Sequence, residues 1–230
     1  MQNILLDCDG VLYPLSELST ADIVNAAKQT YRDDLGLSGI EQSMISKQTI
    51  DDGHLGLFNY IKAICEYKNC NFDTFCTNMA ERIDYSHIIP NKALWYKLHT
   101  LSAQYNIAIA SNNSRVHISK VIEHLFGKNA DDIEQSGIRI FDITAMRNKE
   151  GWFTPKRVPN CLKLLALRNK FEPSETILFD DTGENIKAAR KIGMHATLIT
   201  SQNTLENNLQ PFIRKPLGKS RIYEGFEKSL

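Results

Sequence analysis

The sequence predicts an α/β fold, with a Rossmann-like parallel sheet, helices on both faces and a helical cap inserted after the first strand. Short apolar runs recur along the chain and helical patterns follow them, which is typical of β-α-β units. The segment 15–91 has helical periodicity without a good strand and is far longer than a crossover needs. We therefore expect a core of residues 1–14 and 92–230 and a cap over 15–91.

Four apolar runs that end at a polar residue are predicted to be buried parallel strands, because strands covered on both faces are apolar throughout. A fifth, weaker run lies between the second and third of them. In chain order the predicted strands are Ile4 to Asp7, Ile107 to Ser111, Ile138 to Ile143 (the weaker run), Ile177 to Asp180 and Ala196 to Thr200.

Helices are predicted where apolar residues recur at helical spacing and a glycine or proline marks an end. Gly127 and Gly193 close two of them, and Pro159 opens a third. The predicted helices are Arg115 to Phe126, Asn160 to Lys170 and Glu184 to Ile192 in the core, and Thr20 to Asp33, Phe58 to Tyr67 and Phe72 to Ile83 in the cap.

Composition and charge narrow the classes of function. The 27 basic and 27 acidic side chains balance, so no global field attracts a polyanion, and we expect neither a nucleic-acid nor a membrane partner. The five cysteines are odd in number and lack CxxC spacing, which favours free thiols and a cytoplasmic protein. The oligomeric state and the role of the basic tail after Thr200 are left open.

The first predicted strand ends in Asp7-Cys8-Asp9-Gly10, so two carboxylates emerge where ligands bind to parallel sheets. One carboxylate can attack a substrate while the other moves protons. The alternative is that Asp9 and Gly10 merely form a turn that closes the strand.

Two further segments suit an anion. Ser111-Asn112 follows the second strand directly before a helix, where a hydroxyl and free N–H groups bind phosphate oxygens, although such residues also cap helices. Lys156 lies between Pro155 and Pro159 in a loop that would present its charge rigidly. The alternative for Lys156 is an ordinary surface lysine.

The fourth predicted strand in the chain ends in the acidic pair Asp180-Asp181, which calls for a nearby cation. Oxygen ligands from Asp7, Asp9 and Asp181 would suit Mg²⁺. The alternative reading, acids that favour the start of a helix, explains Glu184 well and Asp181 poorly.

Together, LLDCDGVLYP, IAIASNN, KRVP and ILFDDTGEN resemble, in that order, the motifs of the haloacid dehalogenase-like (HAD) superfamily, subfamily I with a helical cap. Arg157 stands where a proline is common in the lysine motif, which makes Lys149 a substitute for Lys156. The strings LYP, SNNSRVH and FDDTGENI narrow the resemblance to the pyrimidine 5′-nucleotidase-like branch, and His117 matches a histidine of that branch, although helix packing also explains it.

The resemblance implies a Mg²⁺-dependent phosphatase that works through an aspartyl-phosphate. Asp7 would be the nucleophile and Asp9 the general acid and base. Ser111, Asn112 and Lys156 would bind phosphate. The Asp7 carboxylate, the Asp9 backbone carbonyl and Asp181 would ligate Mg²⁺, with Asp180 holding it through water.

The implied substrate is a small phosphorylated metabolite, with a nucleoside monophosphate as the first candidate. We expect the cap to select it, and the loop 51–54, which includes His54, to face it. Two alternatives remain: a phosphomutase acting on a sugar phosphate, and a binding protein that keeps the HAD fold without turnover.

Overall fold

The computed structural model describes residues 1–213, in which five parallel strands form one sheet. The strand order is β3-β2-β1-β4-β5, so the first strand of the chain lies at the centre. All five predicted strands are confirmed, with ends that differ by one or two residues. The strands are β1 (Asn3–Leu6), β2 (Asn106–Ala110), β3 (Ile138–Phe141), β4 (Thr176–Asp180) and β5 (His195–Leu198).

Ten α-helices lie within the same described range. The predicted helices Thr20–Asp33 and Arg115–Phe126 are exact, and the other four match within two residues. The helices are α1 (Thr20–Asp33), α2 (Gly39–Asp51), α3 (Leu57–Lys68), α4 (Phe72–Glu81), α5 (Lys92–Ser102), α6 (Arg115–Phe126), α7 (Ala130–Gln135), α8 (Pro159–Asn169), α9 (Gly183–Lys191) and α10 (Leu205–Ile213).

Helices α1 to α4, which we call the insertion, all lie between β1 and β2 in the chain, within the segment 15–91 for which the sequence predicts a cap. Asn59 of α3 ties this insertion to the loop before α8. Its Nδ2 donates to the Phe153 carbonyl at 2.9 Å, and the Phe153 N–H donates to its Oδ1 at 2.8 Å. The division into a core of 1–14 and 92–230 and a cap of 15–91 stays a prediction.

The sheet register brings the ends of three strands together. Leu6 of β1 pairs with Ile109 of β2 on one side and with Phe179 of β4 on the other. The residues that follow these three strands therefore emerge at one edge of the sheet, where parallel α/β sheets bind ligands.

The described chain ends in α10, in the segment after Thr200 for which the sequence left open a closing helix or a loosely held tail. The basic residues from Arg214 to Lys228 lie outside the described residues. No helix within residues 1–213 combines the length and apolar character that crossing a bilayer requires.

Candidate active site

The backbone places the predicted site residues at the central edge of the sheet. The Asp7 N–H donates to the Phe179 carbonyl at 2.9 Å, which continues the pairing of β1 with β4. The Ser111 N–H donates to the Phe141 carbonyl at 2.9 Å, which continues the pairing of β2 with β3. Both side chains therefore start from backbone that the sheet holds firmly.

Lys156 lies between two carboxylates in the interior. Its Nζ is 2.6 Å from Asp7 Oδ1 and 2.9 Å from Asp180 Oδ2, and the lysine is fully buried. Its backbone N–H donates to Asn112 Oδ1 at 3.2 Å. The substitute candidate Lys149 is exposed, so Lys156 is the lysine that reaches the acids.

Asp180 is held from both sides. While Lys156 binds one oxygen, Oδ1 accepts hydrogen bonds from the Thr182 N–H and from Asn185 Nδ2, both at 2.9 Å. Asn185 is buried at the start of α9 and was missed by the sequence reasoning. Asp180 is therefore fixed in place and has little freedom to turn.

Burial and charge shift the pKa values in this group. Burial raises the pKa of Asp7 well above its usual range, and the Lys156 charge opposes the shift only in part. For Lys156, burial lowers the pKa, but Asp180 and Asp7 outweigh it and raise the pKa above its ordinary value. The lysine stays charged, and the acids around it are undercompensated.

Asp7, Asp180 and Asp181 each offer a carboxylate oxygen, and these atoms lie within 4.8 Å of one another. Burial also raises the pKa of Asp181. Three carboxylates thus face one ammonium, and the donors are all oxygen, which is the chemistry that Mg²⁺ prefers. A hard divalent cation fits this group both in charge and in ligand type.

Gly10 makes room for Asp181. Its φ of +73° lies in the left-handed region, and a Cβ added there would lie 2.7 Å from Asp181 Cγ. Only glycine fits this position without displacing the carboxylate. The glycine of the DxDG motif is therefore a steric requirement of the acidic group.

Asp9 points to a different set of partners. Its Oδ1 accepts from Tyr13 Oη at 2.5 Å and from His117 Nε2 at 2.8 Å. Its Oδ2 accepts from Asn113 Nδ2 at 3.2 Å and from Ser111 Oγ at 3.3 Å. The Asp9 carboxylate therefore does not belong to the three-acid group, and only its backbone carbonyl is left for the metal role predicted for it.

The environment of Asp9 favours its charged form. Burial raises its pKa, but the charge of His117 and hydrogen bonds from His117, Tyr13 and Asn113 outweigh burial and hold the pKa below its usual value. Sequence reasoning missed Tyr13 and Asn113 and explained His117 equally well by packing. The signals for them are the tyrosine four residues after Asp9 and the asparagine two after Ser111.

Ser111 lies deeper than the phosphate-binding role predicts. It is fully buried, donates to Asp9 and accepts from the Asn113 N–H at 3.0 Å. Asn112 and Asn113 line the adjacent cavity, and Ser111 and Lys156 do not. Asn113 Oδ1 is buried without a hydrogen-bond partner in the described part of the chain.

A cavity of about 270 Å³ opens onto Asp7, Asp9 and Asp181. Apolar side chains from the insertion and from the loops of the core form much of its wall, and Arg157 is the cation among its lining residues. The loop 51–54 does not line it, contrary to our expectation. Instead, residues 55–59 do, and the His54 ring stacks on Trp152 with 3.9 Å between centroids.

The fold is similar to those of solved HAD enzymes. A HAD family enzyme from Bacteroides thetaiotaomicron gives a TM-score of 0.55 at 17% identity, over 91% of this chain and 98% of the other. CbbY from Rhodobacter sphaeroides, in complex with phosphate, gives 0.54 at 17% identity, over 89% and 88%. A predicted HAD-like family hydrolase from Porphyromonas gingivalis gives 0.56 at 13% identity, over 94% and 99%.

At these identities the likeness establishes the fold, which is the HAD fold that the motifs imply. The same Bacteroides enzyme is also known in complex with magnesium and inorganic phosphate, at 15% identity and a TM-score of 0.53 over 90% of this chain and 98% of that one. No protein-family model matches the sequence, and no curated protein matches it.

Proposed function

We propose that this chain is a HAD-like, Mg²⁺-dependent phosphatase that hydrolyses a small phosphomonoester through a phosphorylated Asp7. The observation that carries the proposal is the convergence of Asp7, Asp180, Asp181 and Lys156 beside one cavity. These residues come from three separate parts of the chain. An accidental surface cluster would not bury a lysine between two acids.

Asp7 is the nucleophile in this proposal. Lys156 Nζ and the Cys8 N–H both contact Oδ1, at 2.6 and 2.7 Å, and so fix the carboxylate while leaving Oδ2 to attack phosphorus. Asp7 lines the cavity although it is largely buried, so substrate reaches it from one side. Its position depends on the sheet and not on a loop, which favours precise attack.

Charge repulsion is the main obstacle to this attack. A carboxylate and a phosphate dianion 4 Å apart repel by ~8 kcal/mol at an effective dielectric constant of about 20. Asp7, Asp180 and Asp181 would hold Mg²⁺, whose double charge offsets this repulsion and stabilises the transferring phosphoryl group. Lys156 adds a fixed positive charge beside Asp7.

Asp9 is ionised in the free site, but the negative charge of a bound phosphate disfavours a second anion nearby, so Asp9 would bind a proton in the substrate complex. In the first step, Asp7 forms a bond to phosphorus, the bond to the leaving oxygen breaks, and Asp9 gives that oxygen its proton. In the second step, water attacks phosphorus, its proton goes to Asp9, and the bond to Asp7 breaks to release inorganic phosphate. Asp9 lines the cavity beside Asp7, where both transfers would occur.

The proposed substrate is a small phosphorylated metabolite, with a nucleoside monophosphate as the first candidate. The cavity of about 270 Å³ accommodates a compact molecule, and its apolar wall suits a partly apolar leaving group. Complexes of CbbY with phosphate and with xylulose 1,5-bisphosphate support a phosphorylated metabolite in general. The five cysteines are free, and we infer a reducing, cytoplasmic setting from them.

A phosphate-release screen across nucleotides and sugar phosphates, with and without Mg²⁺, tests this function. Asp7→Asn removes the nucleophile and should abolish release, while Asp52→Asn, an exposed neighbour of the cavity region, should leave it unchanged. Activity that survives EDTA or Asp7→Asn would refute the proposal. Transfer of phosphate to a second position of a sugar, without net release, would assign a mutase instead.

A further inference from the structure

We propose that His117 is a positioning residue for Asp9, and that its imidazole, itself held by Tyr85, keeps the Asp9 carboxylate aimed for proton transfer. The inference rests on the proposed function, because it concerns the acid and base of that reaction. His117 is fully buried, and both of its ring nitrogens are hydrogen-bonded, one to Tyr85 and one to Asp9. A histidine that only filled space in the core would not need these two specific partners.

The hydrogen bonds of the His117 imidazole fix which nitrogen faces Asp9 and which faces Tyr85. Nε2 lies 2.8 Å from Asp9 Oδ1, and because a carboxylate only accepts, Nε2 must carry the hydrogen. Nδ1 lies 2.9 Å from Tyr85 Oη. The tyrosine hydroxyl donates to Nδ1 of a neutral ring and accepts from Nδ1 of a protonated one, so in either state Tyr85 holds the ring with the Nε2 hydrogen directed at Asp9.

His117 is one of four side chains that donate hydrogen bonds to the Asp9 carboxylate. His117 and Tyr13 hold Oδ1, and Ser111 and Asn113 hold Oδ2, so the plane of the carboxylate is fixed. His117 comes from α6, whereas Tyr85 comes from the short helical turn Tyr85–His87 that follows the insertion. The orientation of the acid is thereby linked to the segment that joins the insertion to the core.

In the first step, which kcat/KM reports, the aim of the Asp9 carboxyl matters only when the leaving group needs a proton. An alkyl phosphate expels a strongly basic alkoxide and depends on protonation, whereas 4-nitrophenyl phosphate expels a stable phenolate and does not. General acid catalysis contributes about 10²- to 10⁴-fold to a rate, so we expect the loss of part of the acid's alignment to cost about 10- to 100-fold in activity. We therefore expect the loss to depend on the leaving group.

The test compares His117→Asn with His117→Gln. The longer glutamine can place an amide donor near the position of Nε2, and asparagine cannot. His117→Asn should lower kcat/KM about 10- to 100-fold on an alkyl phosphate and less than about threefold on 4-nitrophenyl phosphate, with His117→Gln in between. His124→Asn is the matched control, since His124 lies on the same helix and packs on the Tyr85 ring at 5.7 Å between centroids, and it should behave as wild type.

The outcomes separate the two proposals. Equal losses on both substrates, or no loss, would refute the positioning role while the phosphatase stands. A wild-type protein that hydrolyses no monoester would refute both. Independently of turnover, NMR of ¹⁵N-histidine protein should show a hydrogen on Nε2 of His117 and a shift of that signal in Asp9→Asn, and a ring protonated on Nδ1 alone would contradict the geometry.

Discussion

Lys156 is a fully buried lysine that neutralises two carboxylates at the same time. Lysine is rarely buried completely, yet Lys156 lies in the interior and contacts the carboxylates of Asp7 and Asp180 at once. A buried ion pair adds little net stability, but removing one partner leaves the others uncompensated. The presence of Lys156 therefore adds little to the free energy of unfolding, whereas its removal would leave two buried carboxylates without a cation.

Lys156→Met should lower the free energy of unfolding by about 3–5 kcal/mol, because two buried acids lose their cation. Urea denaturation measures the change. Lys149→Met, on the exposed part of the same loop, is the control and should change stability by no more than about 0.5 kcal/mol. An equal fall in the free energy of unfolding in both variants would show that the loss of the ion pairs between Lys156 and the two acids is not the cause.

Gly10→Ala should weaken magnesium binding at least tenfold, because the added Cβ displaces the Asp181 carboxylate. Gly127→Ala is the matched control, since Gly127 also has a positive φ, +64°, but has no atom within 4 Å of the added Cβ. Both variants should lose about 1–2 kcal/mol of stability to the backbone conformation. Isothermal titration with Mg²⁺ separates them, and equal affinities would contradict the steric account.

The hydrogen bonds around Asp9 could be predicted from the sequence only in part. Asp7, Asp180 and Asp181 could be predicted to meet because each lies at, or directly after, the carboxyl end of a recognisable strand. The contact between Tyr85 and His117 could not, because the two are 32 positions apart and neither stands at a strand end. Their meeting depends on how the chain returns from the insertion, which no local pattern encodes.

At the scale of elements, the contact between α3 and the loop before α8 couples the insertion to the loop that carries Lys156. Asn59 exchanges two hydrogen bonds with the backbone of Phe153, three residues before Lys156. On the same side, Lys62 Nζ lies 4.0 Å from the centroid of the Trp152 ring. The loop that positions Lys156 is therefore held partly by the insertion.

Asn59→Ala should lower stability by about 2–4 kcal/mol, because a buried N–H and a buried carbonyl of Phe153 lose their partners. It should also reduce kcat/KM, since the lysine loop loosens. Thermal denaturation and phosphate release are the measurements. Asn78→Ala breaks an exposed hydrogen bond within the insertion and should change neither by much, and comparable losses in both would argue against a specific coupling.

Helix α2 is anchored at its start by a residue whose charge depends on pH. Hydrogen bonds from Lys68 and Ser38 lower the pKa of Glu41 from 4.5 to about 2. Because the folded pKa is the lower one, the stabilisation is present above pH 4.5 and is lost as pH falls towards 2. The stability difference between wild type and Glu41→Gln should therefore shrink over that window in urea titrations, and a constant difference would contradict the assignment.

Two of the helices that the sequence did not predict, α2 and α7, have a physical reason for being missed. Helix α2 buries only Ile45 and Thr49 and leaves Ile40 and Met44 exposed, so it presents no continuous apolar stripe. Helix α7 has six residues, too few for a period to appear. Helices with a clean apolar face and an end signal, such as α6, were predicted exactly. Helix α5 buries Leu94, Trp95, Leu98 and Leu101 at helical spacing and was nevertheless not predicted, so a clear apolar face helps to find a helix but does not guarantee it.

For the whole molecule, topology explains the site. The central strand β1 carries Asp7, and its two neighbours carry Ser111 and the acidic pair, so the order of strands alone brings distant residues together. A chain with no net charge thereby concentrates negative charge at one edge of its sheet. Fold class and the acidic group were predictable for this reason, whereas the shape of the cavity depends on packing between insertion and core and was not.

Trapping the covalent intermediate tests the central claim most directly. Borohydride added during turnover reduces an aspartyl-phosphate to homoserine, which peptide mass spectrometry locates. We expect modification of Asp7 only when both Mg²⁺ and a phosphomonoester are present. Phosphate release under the same conditions with Asp7 unmodified, or with the modification at another residue, would contradict it.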